Sequence, residues 1–143
     1  MCEGHFADMG LELIGNTLFL ATAIRVGGAG SEIDNYHAGG VGYPIDIASG
    51  IICGEGVDIS GRKHIFHPGS GTQAVGKEIP NWQKLKQYVF ELNQVVEKAR
   101  MIAWDIAVLD DGFDLIEANY GGGPGLMQGP RRKGLKNVIT NNF

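Results

Sequence analysis

Cysteine is scarce in this chain: Cys2 and Cys53 are its two cysteines, and no CxxC pair occurs. A secreted disulfide scaffold is not expected from that usage, and a reducing, cytoplasmic compartment is the expectation. Positive charge is also in short supply. Twelve Lys and Arg stand against 16 Asp and Glu, for a formal net charge of -4. That balance offers nothing to a nucleic-acid backbone or an anionic membrane. The one basic cluster, Arg131-Arg132-Lys133, reads as a solvated helix face. No apolar run approaches the roughly 20 residues a membrane-spanning helix needs, and no basic segment leads into a long apolar one at the N-terminus. Low complexity, internal repeats and linkers are missing too.

What is abundant is glycine, 23 of 143 residues, where average usage of roughly 7% gives about ten. The glycines gather at 27–30, 39–42, 50–56, 69–76 and 121–125, between apolar segments. They mark turns, bulges or close backbone approaches. With 43% hydrophobic and 20% charged residues, the chain is rich enough in apolar side chains for one globular domain over residues 1–143.

Along the chain, residues 1–16 are an ambiguous lead-in. Residues 17–26, TLFLATAIRV, read as a strand; HAGGVGYPIDI, GIICGEGVDI and RKHIFH read as further short strands, with a loop after them. Pro80-Asn81 offers a start and cap for one long helix over 82–103. Trp82, Leu85, Tyr88, Val89, Leu92, Val95, Val96, Ala99 and Ile102 recur there at helical spacing and make one apolar stripe for a sheet. Strands at 103–109 and 113–119 follow, then a glycine loop and a short helix near 129–138. The expected fold class is α+β: a mostly antiparallel sheet packed against one long helix.

The stretch WDIAVLDDGFDLIEAN, Trp104 to Asn119, carries the chemistry. Its turn admits two registers. A two-residue Asp111-Gly112 loop sets Asp105 opposite Ala118 and splits Asp105 and Glu117 between faces. A three-residue Asp110-Asp111-Gly112 loop pairs Leu109 with Phe113, Ala107 with Leu115 and Asp105 with Glu117. The second gathers Asp105, Glu117 and Asn119 on one face. Carboxylates that close repel unless a cation or proton intervenes. Two carboxylates and an amide are hard oxygen donors suited to Mg²⁺ or Mn²⁺. An ordinary hairpin with polar residues frayed at its end is the competing reading.

That hairpin resembles the metal-binding hairpin of the ATP-grasp ligases, in which an Asp and a Glu-x-Asn hold two magnesium ions at the ATP phosphates. Residues 24–46, IRVGGAGSEIDNYHAGGVGYPID, resemble the strand-loop-strand upstream of it. The DNYHAGG run, the HPGSG turn and the IPNW helix start are similar to the sugar-transfer-associated ATP-grasp group, from about Thr17 to Gln128. The resemblance implies a fold like the ATP-grasp C-terminal subdomain. It also implies ATP with two Mg²⁺ or Mn²⁺ ions as cofactors, held through Asp105, Glu117 and Asn119.

Arg25 is then the expected catalytic and phosphate-facing residue; its guanidinium forks onto phosphate oxygens. Asn35, His37, Gly39, Gly40 and Gln128 are candidates for phosphate or substrate binding. The YGGGPG loop, 120–125, is a candidate acceptor lip or a plain connection. His64 and His67, three apart in HIFH, fall on opposite strand faces and read as non-catalytic. The implied activity is carboxylate–amine ligation through an acyl phosphate, with a small carboxylate or amine as partner to ATP and a possible link to sugar or polysaccharide synthesis. Members of the family are longer and carry a lysine-bearing nucleotide lobe, which residues 1–30 do not resemble. The expectation is therefore a C-terminal lobe of a longer enzyme, inactive alone and open to self-association. The alternative is a non-catalytic metal- or ligand-binding module that kept the fold.

Overall fold

A computed structural model describes residues 12–28, 39–96, 101–120, 128–129 and 134–142. Eight strands and two helices are defined there. They are β1 (Glu12–Ile14), β2 (Thr17–Phe19), β3 (Ala23–Val26), β4 (Val41–Pro44), β5 (Gly56–Asp58), β6 (Lys63–His64), α1 (Trp82–Val95), β7 (Ile102–Val108), β8 (Phe113–Tyr120) and α2 (Lys136–Asn142). All pairings are antiparallel: β1 with β2, a four-stranded sheet in the order β3-β4-β5-β6, and the β7-β8 hairpin. This is the expected α+β class, with the sheet in three pieces.

Three boundaries differ from the sequence reading. The strand expected over 17–26 is two strands, and β2 pairs back on β1 around Gly15-Asn16 instead of running on. Gly15 sits at φ +58, where a side chain is strained, and its turn reverses the chain. The helix ends at Val95, not at 103. Two β-branched valines, poor helix formers, close it, and Ile102 and Ala103 are drawn into β7 by pairing with Tyr120 and Asn119. Val95 is 80% exposed and Val96 37%, so the stripe buries only its first half. At the N-terminus Asn81 occupies the cap position at φ +56 without a side-chain cap hydrogen bond; its contribution is the left-handed turn itself. Where a helix was expected near 129–138, residues 128–129 and Lys136–Asn142 are helical, and 130–133 lie outside the described residues.

The core is built where period-2 strands meet the helical stripe. Val41, Tyr43, Ile45, Ile52, Ala74, Ile79, Trp82 and Leu85 are buried together. Ile24 and Val26 of β3, Tyr88 and Val89 of α1, and Ile106, Val108 and Phe113 of the hairpin pack against them. The Tyr88 and Phe113 rings stack with centroids 6.2 Å apart. Trp82 is fixed by its indole N–H, which donates to the Ile47 carbonyl at 2.7 Å. Gly50 makes room for it: a Cβ there would lie 2.3 Å from Trp82 Cγ. No described helix is long and apolar enough to cross a membrane.

Candidate functional site

Alternation along β3 decides where Arg25 points. Ile24 and Val26 pack into the core, so Arg25 lies on the opposite face, across from Gly42 of β4. With no side chain at Gly42, the guanidinium has room on that face. In β7, Ile106 and Val108 are the core-packing residues, and the Trp104 indole turns to the helix, donating to Asn93 Oδ1 at 3.1 Å. Asp105, between them, therefore leaves the core side, and its Oδ2 lies 4.0 Å from Arg25 Nη1. Both side chains are half-buried.

Asp105 pairs directly with Glu117, and Ala103 with Asn119. Asn119 Nδ2 donates to Glu117 Oε1 at 2.8 Å, so these two side chains share a face. Arg25, Asp105, Glu117 and Asn119 are thus brought together. The turn that does this differs from both registers considered above. Val108 pairs with Phe113, Ala107 with Asp114 and Ile106 with Leu115; the register then shifts between Asp105 and Ile106. Ile116 is the unpaired extra residue, a β-bulge. The loop is Asp110-Asp111, closed by Leu109 N–H donating to the Gly112 carbonyl at 3.0 Å.

The Leu109–Phe113 and Ala107–Leu115 pairs expected with the three-residue loop are therefore absent. The physical reason is Phe113. A register without a bulge puts Phe113 on Glu117's side, whereas Phe113 must face the core to stack on Tyr88. Bulging at Ile116 satisfies both demands: Phe113 goes inward and Glu117 outward.

The other candidates fall elsewhere. Asn35 and His37 lie outside the described residues, as do the YGGGPG glycines and Arg131-Arg132-Lys133. Gly39 and Gly40 precede β4; Gly39 has φ +94 with open space around a notional Cβ, so its glycine serves backbone conformation. Gln128 is occupied locally, its Oε1 accepting from Leu135 N–H at 3.2 Å. His67 is a tie between segments: Nε2 meets the Gly27 carbonyl at 2.5 Å, and Nδ1 accepts from Ser70 N–H at 3.2 Å. His64 stands apart from it, with Nε2 3.0 Å from Asp58 Oδ2.

Sequence reasoning missed the Asp58 cluster. Asp58, 5% exposed, also accepts from the backbone N–H of Ser60 and Arg62 and from Arg62 Nε. The signal was present in DISGR, an Asp ahead of a Ser-Gly turn, which is the pattern of a side chain that caps its own turn.

As a donor set, Asp105, Glu117 and Asn119 fit a hard divalent cation: two opposed carboxylates and an amide on one face. Among the described residues no group of three or more His, Cys, Asp or Glu side chains is gathered for a metal.

Compared with known proteins, the chain matches the family model described as sugar-transfer associated ATP-grasp over residues 14–142. No curated protein and no solved structure matches it.

Proposed function

From the match over residues 14–142 the chain belongs to the sugar-transfer associated ATP-grasp family, and we propose that it is the metal- and phosphate-binding part of an ATP-dependent carboxylate–amine ligase. The observation that carries this reading is the pairing of Asp105 with Glu117 on the face that also holds Arg25. Asp105, Glu117 and Asn119 would hold Mg²⁺ or Mn²⁺, which neutralises the charge of the ATP phosphates. Arg25 faces the transferred phosphoryl group. While no phosphate is present, it offsets the charge of Asp105.

In the reaction, a substrate carboxylate oxygen attacks the γ-phosphorus and ADP leaves. An amine then attacks the acyl carbon, inorganic phosphate departs, and the amine loses a proton. Little covalent chemistry falls to the protein in such a transfer; positioning and charge stabilisation are its share. The half-buried position of the Arg25–Asp105 pair strengthens both by limiting solvent screening. The acceptor is a small carboxylate or amine, and sugar or polysaccharide synthesis is the proposed setting.

Thermal unfolding with and without millimolar Mn²⁺ tests this. An ion that binds only the folded pairing stabilises it by mass action, about 1.4 kcal/mol at tenfold excess over Kd, which raises Tm by a few degrees. Glu117→Gln is expected to abolish that rise and to remove carboxylate repulsion in the metal-free protein. A wild type indifferent to Mn²⁺, together with a Glu117→Gln variant that is less stable, would show that the pair serves structure alone.

A further inference from the structure

A second polar site lies on the other side of the β3-β4 pairing. Val41 pairs with Val26 on one side and with Asp58 on the other, so Asp58 shares the face of Val26 and not that of Arg25. There Gly28, Gly39, Val41, Asp58, Arg62 and His64 line an open cleft of about 290 Å³. Four donors converge on the Asp58 carboxylate: Ser60 N–H, Arg62 N–H, Arg62 Nε and His64 Nε2. This buried anion fixes two cation-capable side chains at one wall of the cleft. Arg62 is held through Nε, and its terminal Nη groups have no partner among the described residues. The Arg62 side chain is 76% exposed, so those groups stand at the cleft mouth. His64 is held through Nε2, and its Nδ1 is likewise unpartnered among the described residues. Gly39 presents open space instead of a side chain.

We propose that this cleft binds an oxyanion, the carboxylate or phosphate group of a small acid, between the Nη edge of Arg62 and the Nδ1–H that His64 presents when both of its ring nitrogens carry protons. A guanidinium whose Nε is already committed still offers two N–H groups in a fixed plane, which suits a two-oxygen acceptor. The same Asp58 bonds that orient both side chains lower the entropy lost when the anion binds. Lys63, between them in sequence, is drawn away to Glu55 at 3.4 Å and takes no part. The site is separate from the Arg25–Asp105 face and does not depend on the ligase reading.

The test is a titration of the folded protein at about pH 5.5, below the ordinary imidazole range, with inorganic phosphate, and in a parallel arm with acetate, at constant ionic strength set by chloride. The ring nitrogens of His64 are followed by NMR, assigned with a His64→Gln variant, with His67 as the internal comparison. A saturable shift of His64 Nδ1 is expected with one or both anions, and a smaller one at His67, whose two nitrogens are already engaged. The arm that saturates identifies the acid. Arg62→Gln is expected to weaken the apparent affinity about tenfold, the worth of one charge-assisted hydrogen bond, while Lys63→Gln leaves it unchanged. Absence of a saturable shift in the wild-type protein with both anions overturns the proposal, and so does equal affinity in a folded Arg62→Gln variant.

Discussion

Asp58 is held ionised by its neighbours. Its pKa is lowered from 3.8 to about 2, first by the His64 hydrogen bond, with burial opposing and the Arg62 and Ser60 bonds adding to the decrease. A carboxyl whose folded pKa lies below its unfolded value adds stability above the unfolded pKa. That contribution declines as pH falls from about 3.8 and is lost as pH passes through about 2. Asp58→Asn should therefore lower Tm at neutral pH, and the gap to wild type should close on acidification across that interval. A gap that stays constant from pH 7 to pH 2 would mean that the charge of Asp58 is immaterial and only its shape counts. The sequence reading passed over Asp58, and the DISGR pattern, even when read as a turn cap, does not name its partners. Arg62 and His64 reach it only because β5 and β6 fold back on each other, and no local pattern announces which side chains such a short hairpin turns inward.

At the scale of elements, the hairpin shows what the sequence could and could not disclose. Asp105, Glu117 and Asn119 were legible as a set because hard oxygen donors at alternating positions are chemically conspicuous. The antiparallel class and the helix start at Trp82 were legible from turn chemistry and period. The bulge was not. Phe113, Leu115 and Glu117 share one face in any unbroken strand, and only the Tyr88 ring across the core shows that they must part. The helix end was misread for a related reason, since Ile102 fits both a helical stripe and a strand, and its Tyr120 partner decides. Deleting Ile116 gives a clean experiment on this element. The remaining residues can pair in one continuous register with Asp105 still opposite Glu117. The variant is expected to keep the Mn²⁺-dependent rise in Tm. A folded deletion variant without that rise would show that the local twist of the bulge, beyond the pairing, shapes the ion site.

Across the whole molecule, the core is tight at its centre and more open at its hairpin end. Gly50, at φ +77, sits against Trp82 with no space for a methyl group. Gly50→Ala combines a left-handed strain with a clash against a buried indole, and should cost several kcal/mol, roughly the scale of overpacking plus backbone strain. Urea unfolding measures it; a loss below 1 kcal/mol would mean that Trp82 yields easily. Tyr43 carries the opposite defect: it is fully buried, and its hydroxyl has no hydrogen-bond partner among the described residues. Tyr43→Phe removes an unsatisfied polar atom and should leave stability equal or higher by about 1 kcal/mol. A clear loss in the same urea measurement would reveal a partner for that hydroxyl. At the other end Leu115, Ile116 and Tyr120 are exposed on β8, the strand that carries Glu117 and Asn119 of the candidate ion site.

The Trp104–Asn93 hydrogen bond gives the protein a built-in optical gauge. The chain has two tryptophans. Trp82 is sealed in the core, and its emission reports global unfolding alone. Trp104 is the residue before Asp105, half-buried and bonded to the helix, so its emission reports how firmly the hairpin sits on α1. The proposed ion binding one residue away, loosening of the hairpin and collapse of the fold would be separate events in this geometry. With Trp82→Phe, the remaining indole follows the first two in real time, before the third occurs.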